Sequence, residues 1–119
     1  GLIAAGEPIE ALETPNSVTV PSSLVRPDNF VLQVKGQSMI DEQIQDGDYI
    51  VVKKTATARS GQIVVAIIND EATLKCYVPK SDRIELHPRN PKFPIITINK
   101  TDNFYINGVL LYSFREYAS

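Results

Sequence analysis

Residues 62–78 read QIVVAIINDEATLKCYV, and this stretch decides the fold class. Its two apolar halves are rich in Val, Ile, Tyr and Thr, the residues that favour β-strands. The polar residues Asn69, Asp70 and Glu71 between the halves form a segment short enough for a hairpin turn. The stretch therefore predicts two antiparallel strands that follow one another directly.

Runs of similar composition occur on both sides of this stretch. Short runs rich in Val, Ile, Tyr or Thr return at intervals of roughly ten residues, separated by Gly, Pro, Asn or Asp. They occupy residues 30–35, 49–53, 62–68, 72–78, 83–87, 95–98 and 104–114. Helical spacing is confined to residues 38–44, where Met39, Ile40 and Ile44 lie on one face. We therefore expect a mainly β, mostly antiparallel domain with at most one short helical turn.

The first 27 residues differ from the rest of the chain. They contain four prolines, Pro8, Pro15, Pro21 and Pro27. Because proline lacks an N–H group and fixes φ, regular structure can only be short there. We expect residues 1–27 to be an arm or loop and residues 28–119 to be one compact domain. Within the last strand-like run, Asn107-Gly108 predicts a tight turn or a β-bulge.

The composition is that of one globular domain: 119 residues, 43% apolar, with a formal net charge of -2. The longest apolar run, residues 63–68, is far shorter than the ~18 residues of a membrane-spanning helix. With 12 basic and 14 acidic residues there is no basic surface for phosphates, so any DNA binding must come from another segment. A single cysteine and no membrane segment lead us to expect a cytoplasmic protein.

The sequence lacks the residues that the commonest metal, disulfide and catalytic sites require. Cys76 cannot form an internal disulfide, and Cys76 with His87 is too few ligands for a closed zinc site. A Ser-His-Asp triad would have to use His87, which we interpret as an ordinary surface or edge residue. We interpret Cys76 as a buried structural thiol. The sequence predicts neither a metal site nor a bound cofactor.

Ser38 is a candidate nucleophile. It lies on the turn Gly36-Gln37-Ser38-Met39, where a strand-like run passes into the helical segment. A serine at the start of a helix is commonly an N-cap, whose side chain accepts a hydrogen bond from a backbone N–H. A serine hydroxyl can also be activated by an adjacent base. The residues alone leave both roles open.

Lys75 is a candidate base. If Leu74 and Cys76 face one side of their strand, Lys75 and Thr73 share the opposite side. An inward-facing lysine loses its hydration, which favours the neutral amine, and a neutral amine can take the proton of a serine hydroxyl. The alternative is an edge-strand lysine that faces solvent and discourages aggregation.

Three motifs in order resemble the LexA-type self-cleaving repressors. They are Gly36-Gln37-Ser38-Met39-Ile40-Asp41, Ile44-Gln45-Asp46-Gly47-Asp48 and Asp70-Glu71-Ala72-Thr73-Leu74-Lys75. The interval of 37 residues between Ser38 and Lys75 is similar to the family's nucleophile-to-base spacing. Upstream, Ala4-Ala5-Gly6-Glu7-Pro8 resembles the family's cleavage site, with the scissile bond between Ala5 and Gly6.

The resemblance implies a serine endopeptidase that acts on itself through a Ser-Lys dyad. Ser38 would attack the carbonyl carbon of Ala5. Lys75, buried and uncharged, would act as the general base and then protonate the leaving amine of Gly6. One departure from the family is Cys76, which stands where many relatives have a basic residue.

The resemblance also implies what surrounds the dyad. Backbone amides of Gln37 and Ser38 would form the oxyanion hole, and Thr73 would help to orient the lysine amine. The family fold consists of several twisted sheets. The run Tyr105 to Phe114 is apolar enough to pair across the two-fold axis of a homodimer, although these residues could instead fill the domain's own core.

For the whole protein, the resemblance implies a dimeric repressor of the DNA-damage (SOS) response. A RecA filament on single-stranded DNA would stimulate the cut. Operator DNA would be bound only through an N-terminal helix-turn-helix domain that this chain lacks, so we expect a fragment. One alternative is a UmuD-like subunit of a translesion polymerase, whose cleavage site is typically Cys-Gly rather than Ala5-Gly6. The others are the C-terminal domain of a phage repressor and an oligomerisation module with an inert dyad.

Overall fold

A computed structural model describes residues 11–117, and in this range eight strands form one antiparallel sheet. In chain order the strands are β1 (Ala11–Glu13), β2 (Asn29–Lys35), β3 (Tyr49–Lys54), β4 (Ile63–Ile68), β5 (Glu71–Pro79), β6 (Ile84–His87), β7 (Ile96–Ile98) and β8 (Phe104–Phe114). Their order across the sheet is β1-β2-β3-β8-β4-β5-β6-β7. The prediction of a mainly β, antiparallel fold is confirmed.

The position of β8 explains why one curled sheet forms where the resemblance implies several. The first part of β8 pairs with β4 and its last part pairs with β3, so the last strand of the chain lies in the middle of the sheet. The pairing register shifts between Val51 and Val52 of β3 and between Val65 and Ala66 of β4. Because such irregularities increase local twist, they help to curl the sheet.

Asn107 and Gly108 lie inside β8 and form part of a bulge. The ladder with β4 passes from Gly108 directly to Ile106, which makes Asn107 the additional residue. A Cβ atom at Gly108 would lie 2.8 Å from the carbonyl oxygen of Lys53 and would also collide with the side chain of Val52. The close approach of β3 to β8 therefore requires glycine at this position.

The predicted hairpin is confirmed between β4 and β5. Its turn consists of Asn69 and Asp70, with Ile68 paired to Glu71. The φ angles of the two turn residues are 49° and 72°. Positive φ at both central residues is the geometry of a type I′ turn, whose twist matches that of the strands it joins.

The sheet is buried on both faces along β4, which explains the continuous apolar run in that strand. The first core cluster consists of Leu12, Val34, Met39, Ile44, Ile50, Val52, Val65 and Leu74. The second consists of Val64, Ala66, Leu86 and Ile106. Val65 therefore packs on one face of β4, while Val64 and Ala66 pack on the other.

Two single turns of 3-10 helix accompany the sheet in the described range, Ser22–Leu24 and Ile40–Glu42. The second is the short helical turn predicted after Ser38. Its N-cap position is Met39, which makes no side-chain cap hydrogen bond, so Ser38 is not the N-cap. In residues 11–117 no helix has the length and apolar character needed to cross a lipid bilayer.

Part of the segment expected to be an arm packs onto the domain. β1 pairs with β2 and lies against β5. Leu12 of β1 is buried in the first core cluster. The turn Ser22–Leu24 lies in the same segment, and both elements are three residues long, as short as the prolines predict.

Candidate active site

Ser38 and Lys75 come from distant parts of the chain and meet in the interior. Nζ of Lys75 lies 3.1 Å from Oγ of Ser38, within hydrogen-bond distance. The two residues are buried, with 0% and 1% of their surface exposed. Burial disfavours the charged form of an amine. The solvent-facing alternative for Lys75 is therefore wrong, and the lysine faces inward beside the serine.

Two further acceptors hold the amine of Lys75. Nζ donates to Oγ1 of Thr73 at 2.7 Å and to the carbonyl oxygen of Leu74 at 3.1 Å. Thr73 lies two positions earlier on β5, so both side chains are on the same face of the strand, as the alternation predicts. These contacts fix Nζ at the distance from Ser38 at which a neutral amine can accept the hydroxyl proton.

The turn that carries Ser38 is fixed by its own residues. Gly36 has a φ of 109°, which side chains rarely allow, and its N–H donates to Oδ1 of Asp46 at 2.7 Å. Met39 and Ile44 are buried in the first core cluster. Burying one such side chain stabilises the fold by roughly 2 kcal/mol. These contacts therefore fix the backbone of the turn that carries Ser38.

The segment that follows β6 holds the same turn from another side. The N–H of Arg89 donates to the carbonyl oxygen of Ser38, and the N–H of Asp41 donates to the carbonyl oxygen of Arg89, both at 2.7 Å. Nδ2 of Asn90 donates to the carbonyl oxygen of Gln37 at 2.9 Å. Sequence reasoning missed these contacts. The prolines around this segment indicate a break in the chain, and no residue type in it indicates which distant turn it meets.

Two backbone amides of the turn that carries Ser38 have no protein acceptor among residues 11–117. Within residues 11–117, neither the N–H of Gln37 nor the N–H of Ser38 donates a hydrogen bond. Donors of this kind beside a nucleophile can stabilise the negative charge that develops on a substrate carbonyl oxygen. Their role in an oxyanion hole stays a prediction.

Cys76 and His87 face each other across the ladder between β5 and β6. Cys76 is buried, as predicted, and its Sγ lies 3.1 Å from Nη2 of Arg89. Nε2 of His87 lies 2.8 Å from Oε1 of Glu85. Hydrogen bonds with His87 and Arg83 hold the pKa of the Glu85 carboxyl below its ordinary value. Among the residues that the structure describes, no three His, Cys, Asp or Glu side chains are grouped to hold a metal ion.

The predicted scissile residues, Ala5 and Gly6, lie outside the described residues. The first described element after them is β1, which lies against β5. Leu12 of β1 belongs to the same core cluster as Met39 and Leu74, which adjoin the serine and the lysine in sequence. β1 therefore lies against the part of the core that adjoins the site.

The chain is similar to known proteins over most of its length. The sequence pattern of the peptidase S24-like family matches residues 1–111. A LexA repressor of Syntrophotalea carbinolica is 50% identical over 120 residues, covering 100% of this chain and 59% of that protein. A LexA repressor of Syntrophobacter fumaroxidans is 42% identical over 118 residues, covering 98% and 57%. A third, of Myxococcus xanthus, is 48% identical over 107 residues, covering 86% and 48%. The chain thus spans about half the length of these curated relatives.

Proposed function

This chain belongs to the peptidase S24-like family, and from that premise we propose that it is the self-cleaving domain of a LexA-like repressor. In this proposal Ser38 and Lys75 form a dyad that cuts the bond between Ala5 and Gly6. The observation that carries the proposal is the 3.1 Å contact between Nζ and Oγ, made by two buried residues. A buried lysine beside a buried serine matches the Ser-Lys form of nucleophilic catalysis.

The reaction begins with a proton transfer inside the dyad. Neutral Nζ of Lys75 takes the hydroxyl proton of Ser38 while Oγ attacks the carbonyl carbon of Ala5. The carbonyl electron pair moves onto oxygen, where the N–H groups of Gln37 and Ser38 stabilise the charge. Thr73 holds Nζ in line during this step, because its hydroxyl accepts a hydrogen bond from the amine.

The second half of the reaction returns the proton. The tetrahedral intermediate collapses, the bond to the nitrogen of Gly6 breaks, and the ammonium of Lys75 gives its proton to that nitrogen. Ala5 is then joined to Ser38 as an ester. Lys75 next takes a proton from the water that hydrolyses the ester and gives it to Oγ as the serine leaves. The dyad ends in its starting form.

The position of β1 supports cleavage within one chain. Five residues separate the predicted bond from Ala11, and an extended chain covers at most about 3.6 Å per residue, or roughly 18 Å in all. Leu12 is anchored in the core cluster that adjoins the dyad. A bond tethered this closely is presented to Ser38 at a high effective concentration.

For the whole protein we propose a dimeric repressor of DNA-damage genes. Its cut is stimulated by a RecA filament on single-stranded DNA, and its operator is bound through an N-terminal domain. The relatives named LexA repressors support this reading. Each half-site contact is weak alone and is strengthened when dimerisation links two of them. The cut separates the N-terminal domain from the dimerising domain. The operator affinity gained through dimerisation is then lost, and the operator is released.

The second half of β8 provides the proposed dimer edge. Residues 110–114 pair with β3 on one side, and within the described residues the ladder with β4 ends at Val109. Leu111 and Tyr112 in this part are exposed. A strand edge with exposed apolar side chains can pair with the same edge of a second copy. The interface expected over residues 105–114 is therefore narrowed to its second half, because the first half pairs inside the sheet.

The test of self-cleavage is the intact mass of the chain after incubation at neutral and at alkaline pH. We expect loss of residues 1–5 at a rate that rises with pH, because the active neutral form of the amine grows as protons are removed. Ser38→Ala and Lys75→Ala should each slow the cut by at least about 1000-fold. A cut that persists in Ser38→Ala, or no loss of mass at any pH, would contradict the proposal.

A further inference from the structure

Asn90 contacts the peptide group that joins Gln37 to Ser38. Nδ2 of Asn90 donates to the carbonyl oxygen of Gln37 at 2.9 Å. On the same side chain, Oδ1 accepts the N–H of Lys92 at 3.0 Å. Because Oδ1 is needed as an acceptor for a backbone donor, the side-chain amide can present only its NH₂ group to Gln37. Asn90 is therefore a donor of fixed direction.

The contacted carbonyl controls the direction of one specific N–H. No cis peptide bond occurs among the described residues, so the C=O of Gln37 and the N–H of Ser38 lie in one rigid plane and point in opposite directions. Fixing the carbonyl therefore fixes the N–H. A hydrogen bond accepted by the carbonyl also polarises the peptide and strengthens its N–H as a donor.

On the proposed function, the N–H of Ser38 is one of the two oxyanion donors. We propose that Asn90 is a positioning residue that aims this N–H at the reacting carbonyl oxygen. The inference rests on the proposed function, and it adds a residue whose effect reaches the substrate only through the peptide between Gln37 and Ser38.

Among the contacts of this segment, Asn90 provides the side-chain bond to the peptide group between Gln37 and Ser38. Arg89 holds Ser38 and Asp41 with its backbone N–H and carbonyl groups, and its Nε donates to Oε1 of Glu42 at 3.0 Å, farther along the loop. The carbonyl oxygen of Gln37 accepts the longer bond from the N–H of Ile40 at 3.3 Å and the shorter one from the side chain of Asn90 at 2.9 Å. A substitution at position 90 can therefore remove one donor and leave the backbone contacts in place.

Asn90→Asp is the variant that isolates this bond. It keeps the size of the side chain and the acceptor for Lys92, and it replaces the NH₂ group by an oxygen. We expect the rate of self-cleavage to fall by about 10-fold to 100-fold at every pH, less than the loss from deleting an oxyanion donor outright. The midpoint of the pH profile should stay where it is, because Lys75 keeps its contacts. A merely structural effect on the dyad would move that midpoint.

Asn99→Asp is the matched control, because it adds the same charge at an exposed asparagine. Its rate should equal that of the unaltered chain. Asn90→Ala removes the donor without adding a charge and serves as the second variant should Asn90→Asp fail to fold. If the unaltered chain cleaves itself and the Asn90 variants cleave at the same rate, the inference is overturned while the proposed function stands.

An amide NMR spectrum separates the inference from the proposed function. The resonance of the Ser38 N–H should shift in the Asn90 variants and stay unchanged in Asn99→Asp, whether or not the chain cleaves. If the unaltered chain never loses residues 1–5, the proposed function fails. The chemical shift of the Ser38 N–H then still tests whether Asn90 positions that group. An unshifted Ser38 resonance in the Asn90 variants would then refute the positioning role.

Discussion

Asp48 and Arg115 are 67 positions apart in the sequence and form a two-pronged ion pair. Nε of Arg115 lies 2.6 Å from Oδ1 of Asp48, and Nη2 lies 3.0 Å from Oδ2. The N–H of Gln45 donates to the same carboxylate at 2.8 Å. Arg115 directly follows β8, and Asp48 ends the loop of residues 36–48 that carries Ser38. The pair therefore joins the end of β8, a central strand of the sheet, to the loop that carries Ser38.

The Asp48 carboxylate predicts a loss of stability in acid. Burial raises the pKa of this carboxyl, but hydrogen bonds from Arg115 and from the N–H of Gln45 outweigh burial and hold the pKa below its ordinary value. Such a group stabilises the fold fully above its unfolded-state pKa of about 3.9, and the contribution is lost as the pH falls toward the folded-state pKa. We expect Asp48→Asn to lower the free energy of unfolding at neutral pH by about 1–3 kcal/mol and to flatten its decline in acid.

Urea unfolding measured from neutral pH down to about pH 2.5 checks this prediction. Asp28→Asn is the matched control, because Asp28 is exposed. Its decline in acid should match that of the unaltered chain. An Asp48→Asn variant whose unfolding free energy declines as steeply as that of the unaltered chain would contradict the role of the pair.

Thr73 provides a prediction for activity. Thr73→Val keeps the shape of the side chain but removes the oxygen that accepts from Nζ of Lys75 at 2.7 Å. We expect self-cleavage to slow by about 10-fold to 100-fold, because the amine is less well aligned with Ser38. Thr73→Ser retains the hydroxyl and should keep most of the rate. Intact mass followed over time gives both rates, and equal rates for the valine and serine variants would exclude an orienting role.

Gly108 provides a prediction for stability. In Gly108→Ala the new methyl group would meet the carbonyl oxygen of Lys53 and the side chain of Val52, so β3 and β8 must separate. We expect the free energy of unfolding to fall by about 2 kcal/mol or more, the usual cost of overpacking. The neighbouring substitution Asn107→Ala should change it by less than about 0.5 kcal/mol. Urea unfolding of both variants tests the close approach of β3 to β8. Equal free energies of unfolding in Gly108→Ala and Asn107→Ala would argue against a collision at position 108.

The dimer edge provides a prediction for assembly. Leu111→Lys combined with Tyr112→Lys places like charges on the proposed dimer edge, residues 110–114, of both copies, and these charges should repel. We expect the dissociation constant of the dimer to rise by at least about 10-fold. Ile95→Lys, at another exposed apolar residue, is the control and should leave it unchanged. Sedimentation velocity over a range of concentrations measures the effect, and unchanged association in the double variant would exclude this edge.

The local structure could largely be predicted from the sequence. The strand-like runs at 30–35 and 104–114 and the turn at Asn69 follow from residue types that favour strands or turns. The central place of β8 could not be predicted, because strand order depends on pairings between residues far apart in the chain. Alternation within one strand carries no information about the neighbouring strand.

The candidate site could be predicted in part. Alternation along β5 places Thr73 and Lys75 on one face, but both faces of that strand are buried, so the pattern alone could not decide whether the lysine faces inward. Asn90 could not be found in this way. Its contact with Gln37 spans 53 positions and depends on how an irregular segment folds back over the turn.

β8 also orders the assembly of the domain in time. In the part of the chain that the structure describes, β3 and β4 share no ladder and are joined through β8. Ser38 belongs to the half built from β1 to β3, and Lys75 belongs to the half built from β4 to β7. On a translating ribosome, both halves leave the exit tunnel before the strand that unites them. The sheet is therefore completed only once residues 104–114 have emerged, and until then no ladder joins the half that carries Ser38 to the half that carries Lys75.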